Sequence, residues 1–162
     1  MAAVDFSPAV LQPRLVQLNA DYARALDDDR IEVWPSFFTE PCLYLITTAD
    51  NHRHGYTAGI VYADSQGMLH DRVAALREAN IYERQAYRHV VGLPAVVGES
   101  DGLVRAETSF LVVRIMRDGR MDLFATGRYL DVLVDESGAL RLRERVVVCD
   151  NNRFDTLLAI PL

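Results

Sequence analysis

The sequence predicts an α+β fold in which helices cover one face of a curved, mainly antiparallel sheet. Three observations carry this reading. Apolar residues recur at three- and four-residue spacing through the first part of the chain, the period changes to two after about residue 80, and short turn sequences separate the later segments. At 162 residues with 50% hydrophobic content, the chain is long enough for one core and too short for two ordinary domains, so a single domain over residues 1–162 is expected.

Residues 7–28 place Leu11, Leu15, Leu18, Tyr22 and Leu26 on one helical stripe, with Ser7 as the expected cap and Pro8 at the first position. "DDDRIEVWPSFFTEP" supplies an acidic break and a short second helix stopped by Pro41, whose Trp34, Phe37 and Phe38 belong in the core together with Tyr44. "CLYLITT" is the first strand and "ADNHRHGYTAG" a polar loop. Asp64 and Ser65 suit the cap of a third helix that buries Leu69, Val73 and Leu76 and fades near Ala79 and Asn80. Strands follow in "YERQAYRHVVGLPAVV", "LVRAETSFLVVRIMR", "RMDLFATGRYLDVLVD" and "ALRLRERVVVCDN", with "RDGR" and "DESGA" as hairpin turns.

A formal charge of -6 argues against nucleic acid or an anionic membrane surface as partner, since either demands a basic stripe. No apolar run approaches the roughly 18 residues of a membrane span. Two isolated cysteines, Cys42 and Cys149, and no charged and apolar leader at the start lead to the expectation of a reducing cytoplasm. All 17 basic residues are Arg, which reflects either the base composition of the source genome or the suitability of its planar fork for buried ion pairs and interfaces.

Motifs for hydrolysis, phosphate binding and dinucleotide binding are absent. His52 and His54 beside Asp50 match a metal site loosely and lack an obvious third ligand. Neither cysteine has the His partner that a Rieske cluster uses, so no such cluster is expected in this chain. Acid-base chemistry is the enzymatic class left open, with Tyr22, Tyr44, Asp50 and His89 in the mouth of a cone. Against it stands an interface reading. Tyr82, Arg84, Tyr87, Arg88 and His89 are of types enriched at protein contacts, with Tyr87 and His89 on one strand face and Arg88 on the other. Alternation also puts Arg141, Arg143 and Arg145 in one row, to be met by cross-strand carboxylates such as Asp131 or Asp122 or by another subunit.

The segments "EVWPSFFTEPCLYLITTADN", "GIVYADSQGMLHDRVAALREANIYERQAYRHVVGLPAV", "FATGRYLD" and "LRLRERVVVCDNNRFDTLLAIPL" together resemble the small (beta) subunit of Rieske-type aromatic-ring-hydroxylating dioxygenases. The similarity is greatest to subunits of enzymes acting on carboxylated aromatics such as terephthalate and salicylate. This resemblance implies a cone-shaped NTF2-like (cystatin-like) fold, similar to nuclear transport factor two and ketosteroid isomerase. It implies a non-catalytic assembly subunit with no catalytic, cofactor-binding or metal residues of its own. The partner would be a large (alpha) subunit carrying a Rieske 2Fe–2S cluster and a mononuclear Fe(II), in a hetero-hexamer of three large and three small subunits. Contacts with neighbouring copies of the complex are implied as well, and NADH would supply electrons through a separate reductase. A free-standing isomerase or dehydratase of the same fold is the competing expectation.

Overall fold

The computed structural model describes residues 5–78, 84–154, 158 and 160–162. Helix α1 (Pro8–Asp27) forms where the leucine stripe predicts it, and Leu11, Leu15, Leu18, Tyr22 and Leu26 are all buried. Pro8 sits in the first turn, where a missing N–H breaks no helical bond. Ser7 does not cap through its side chain. Its carbonyl accepts from Val10 and Leu11, and its own N–H donates to the Asp5 carboxylate at 2.8 Å.

A 3-10 helix over Ile31–Phe37 buries Trp34 and Phe37 and runs directly into strand β1 (Phe38–Thr48). Pro41 therefore lies inside a strand and does not end a helix. It is tolerated because the pairing of β1 is irregular between Phe38 and Leu43, so its missing donor removes no ladder bond. The expected loop after β1 opens with one helical turn, α2 (Ala49–Arg53), capped by Thr48 Oγ1 accepting from the Asn51 N–H at 3.2 Å. Strand β2 (Val61–Ala63) is too short to show a period in sequence. Helix α3 (Gln66–Glu78) buries Leu69 and Val73, with Ser65 Oγ accepting from the Met68 N–H. Asp64 instead accepts from the Tyr62 hydroxyl. The expected fading of this helix at Ala79 and Asn80 lies outside the described residues.

The segment read as one strand from Tyr82 divides into β3 (Gln85–Val91) and β4 (Ala95–Ser100) around "GLP". Both pair with the long β5 (Leu103–Met116), β3 along Phe110–Met116 and β4 along Leu103–Glu107. Strands β6 (Met121–Glu136) and β7 (Ala139–Cys149) complete an antiparallel run, and β7 meets β1 in parallel. The sheet order is β2-β1-β7-β6-β5-β3, with β4 beside β5. Helix α1 packs against β3, β4 and β7, while α3 covers β1 and β2. The core lies between this helical layer and the sheet.

Two bulges curl the sheet. In β7 the register jumps between Glu144, opposite Val132, and Leu142, opposite Leu133, leaving Arg143 as the extra residue. The buried face changes parity there, from Leu140 and Leu142 to Arg145, Val147 and Cys149. The predicted row of Arg141, Arg143 and Arg145 is thereby corrected. Arg143 is exposed and Arg141 partly exposed, whereas Arg145 turns into the core. A second bulge at Phe124 in β6 buries Phe124 and Ala125 in succession.

Candidate functional site

The interior of the cone is built around Arg145, fully buried and opposite Asp131 in the β6–β7 register. Its Nε donates to Asp131 Oδ1 at 2.9 Å, and its Nη2 donates to Asp131 Oδ2 and to Asn19 Oδ1, both at 2.7 Å. The guanidinium carbon lies 4.3 Å from the Tyr22 ring centroid and 4.0 Å from that of Tyr129. Asn19 Nδ2 continues the network to Thr108 Oγ1. Burial opposes the charge on Arg145, but the Asp131 carboxylate more than compensates, and the group is held above its ordinary range.

Beside this network the aromatic cluster closes the cone. Trp34 Nε1 donates to the Tyr22 hydroxyl at 3.0 Å, and the Tyr22 and Tyr44 hydroxyls donate to the Leu162 main-chain oxygen at 2.9 and 3.1 Å. The Leu162 N–H returns a hydrogen bond to the Tyr44 oxygen. Trp34, Phe38 and Tyr44 meet edge to face. Burial raises the phenols of Tyr22, Tyr44 and Tyr129, so they remain neutral. Leu158 and Leu162 are buried in the same core.

The four residues considered for acid-base chemistry do not form one group. Tyr22 and Tyr44 meet at Leu162, while Asp50 is exposed on α2 and pairs with Arg53. His89 belongs to a separate buried pair at the end of α1. Its Nδ1 lies 2.6 Å from Asp27 Oδ1, and its backbone N–H donates to Asp27 Oδ2 at 2.9 Å. His89 Nε2 has no partner among the described residues and no access to solvent. The pair ties α1 to β3.

Metal chemistry finds no ligand set. Among the described residues, no three His, Cys, Asp or Glu side chains are grouped to hold an ion. His54 Nδ1 is 2.8 Å from the Asp50 carbonyl and its ring stacks on Tyr56. Burial pushes the thiols of Cys42 and Cys149 up to about 11 and about 12, the opposite of what a thiolate ligand requires. These residues do not fit an iron-sulfur cluster. No helix among the described residues is long and apolar enough to cross a membrane.

Of the residues considered for an interface, Tyr82 lies outside the described residues. Tyr87 and His89 face inward and are buried, and Arg145 is a core residue whose placement follows from the bulge at Arg143. Arg84 and Arg88 face outward, Arg143 is exposed, and Arg141 donates to the Ser36 carbonyl at 2.6 Å. Asp131 is the carboxylate that meets Arg145. Asp122 instead pairs with Arg114 at 2.7 Å. Sequence reading missed Asn19, Asp27 and Thr108, which look like ordinary surface-type residues until the sheet curls around α1.

Helices packed on a curled, mostly antiparallel sheet define a cone-shaped α+β protein of the NTF2-like class. The chain belongs to the ring hydroxylating beta subunit family, whose pattern matches residues 21–156. It is 51% identical to the beta 2 subunit of the terminal oxygenase component of terephthalate 1,2-dioxygenase from Comamonas sp., over 92% of this chain and 97% of that one. It is 39% identical to the anthranilate 1,2-dioxygenase small subunit of Burkholderia cepacia, over 91% and 92%. A solved structure assigned as the beta subunit of an aromatic-ring-hydroxylating dioxygenase of Novosphingobium aromaticivorans superposes with a TM-score of 0.88 at 38% identity, covering 95% of this chain and 98% of that chain.

Proposed function

We propose that this chain is the non-catalytic small subunit of a terminal oxygenase that hydroxylates a carboxylated arene of the terephthalate type. Residues 1–162 act as one domain that holds large subunits in a hetero-hexamer, three of each kind, in the cytoplasm. The large subunit carries the Rieske cluster and the mononuclear iron, and NADH supplies electrons through a separate reductase. Family membership and 51% identity to a terephthalate dioxygenase subunit support the partner and the substrate class. The observation that carries the role is the scatter of the candidate acid-base groups: Tyr22 and Tyr44 are tied to Leu162, Asp50 is exposed beside Arg53, and His89 is paired with Asp27.

The test is reconstitution with the large subunit. Expected is arene turnover only in the mixture, with iron tracking the large subunit. Tyr44→Phe and His89→Ala should keep turnover per assembled iron site near the parent value even where the yield of complex falls. Loss of a proton-transfer residue would instead lower that normalised rate by roughly a hundredfold to ten-thousandfold. Such a drop with assembly and iron unchanged would place chemistry in this chain.

A further inference from the structure

Where α1 ends, the helices and the start of β3 leave a recess of about 410 Å³, within the size range of small-molecule sites. Leu26 lies at the end of α1, Ile31 opens the 3-10 helix, Leu76 sits in the last turn of α3 and Ile160 follows β7. With Tyr87 on the inner face of β3 they make the walls apolar. One wall is fixed by Arg77. Its Nε donates to Glu32 Oε1 at 2.6 Å, its Nη1 to Asp29 Oδ1 at 2.8 Å, and its Nη2 to the Asp29 carbonyl at 2.7 Å. This staple ties α3 to the turn after α1, so the recess exists before any ligand and binding costs little in ordering.

The charges around the recess are matched except for one. Asp27 is held by His89, and Asp29 pairs with Arg77. Arg84 at the rim is exposed and forms no ion pair among the described residues. One uncompensated guanidinium over apolar walls selects a monoanion with an apolar body. A carboxylate meets it through two parallel N–H donors, whereas a phosphate monoester brings nearly two charges and three acceptor oxygens, more than one Arg can match.

Gln85 supplies the second polar group, on the same strand face as Tyr87. Its Oε1 is shut away from solvent without a hydrogen-bond partner. Turning the amide toward the recess breaks no bond of that oxygen, and a donor on the ligand would satisfy an acceptor that is costly to leave unmet. The Tyr87 ring, tilted against Phe124 at 5.2 Å, offers a surface on which a second ring packs offset or edge to face. Both carboxylates of the lining are committed to partners, so the recess offers binding and not proton transfer.

We infer that this recess is a binding site for a small hydroxylated aromatic carboxylate, with the carboxylate on Arg84, the ring against Tyr87 and the hydroxyl donating to Gln85. The inference does not rest on the assembly role, and it is tested on the full chain without the large subunit, so its failure leaves that role standing. Calorimetric titration with 3-hydroxybenzoate is expected to show saturable one-to-one binding, with a dissociation constant on the order of 1 mM or below for a ligand of about ten non-hydrogen atoms. The thermal midpoint should rise with ligand concentration, as mass action requires. Benzoate, which lacks the donor, should bind roughly fivefold more weakly, and cyclohexanecarboxylate, which also lacks the ring, more weakly still. Arg84→Gln should weaken all three by about tenfold or more, and Gln85→Leu should erase the advantage of the hydroxyl, with circular dichroism unchanged in both variants. Absence of saturable binding, or parent affinity in Arg84→Gln, overturns the site. Cyclohexanecarboxylate matching benzoate, or a hydroxyl advantage that survives Gln85→Leu, overturns the ligand class.

Discussion

Arg145 shows how one residue sets the character of this interior. Removing a guanidinium from water costs several kcal/mol, and here a bidentate carboxylate, an Asn oxygen and two tyrosine faces replace part of the lost hydration, while Nη1 has no partner among the described residues. The arrangement is finely balanced, because each partner is also buried. Arg145→Ala is expected to destabilise the fold by about 3 to 5 kcal/mol, since Asp131 is left charged and unpaired at 4% exposure. Replacing both, as Arg145→Met with Asp131→Leu, should come close to neutral because no uncompensated charge remains. Urea titration of the single and double variants measures both values. A cost below about 1 kcal/mol for Arg145→Ala would mean that the pair behaves like an exposed one.

At the scale of elements, β6 and β7 decide the shape. Their bulges at Phe124 and Arg143 shift the inward face by one residue, and Gly127 lets the strands approach closely between them. A Cβ at Gly127 would lie 2.0 Å from the Val148 carbonyl oxygen, a backbone atom that cannot step aside alone. Gly127→Ala is accordingly expected to cost about 3 kcal/mol or more, above the usual range for overpacking, and to lower the thermal midpoint. Calorimetry of the variant checks this, and an unchanged midpoint would show that the strands separate without penalty. The same two strands carry Asp131 and Arg145, so loosening them also disturbs the buried pair.

For the molecule as a whole, the buried acids predict how stability depends on pH. Burial pushes Cys149 from an ordinary 9.0 to about 12 and Cys42 to about 11, and it raises Tyr22, Tyr44 and Tyr129 above their ordinary 10.0. In the unfolded chain these groups ionise at their ordinary values, while the folded chain keeps them neutral. The stabilising contribution is thus complete below about pH 9 and is lost progressively as pH rises toward 12. Tyrosinate absorbance from the buried phenols should therefore appear together with the loss of circular dichroism in an alkaline titration. A smooth titration near pH 10 with the fold intact would show that those phenols reach water.

The sequence by itself determined the class of fold, the succession of helices before a run of antiparallel strands, the aromatic cluster and the family. These follow from local periodicity and from residues that touch near neighbours, such as the leucine stripe of α1 and the alternation of β5. It offered cross-strand carboxylates such as Asp131 or Asp122, or another subunit, as partners for the row of Arg141, Arg143 and Arg145, and the register selects Asp131 for Arg145. Tertiary structure alone decided that Arg145 points inward while Arg141 does not, because a single extra residue in a strand exchanges its faces and leaves no mark in composition. It alone divided the segment after Tyr82 into two strands on one partner and joined Asp27 to His89 across 62 residues. Such contacts depend on where the sheet bends, which is set by the packing of the whole chain and not by any one segment.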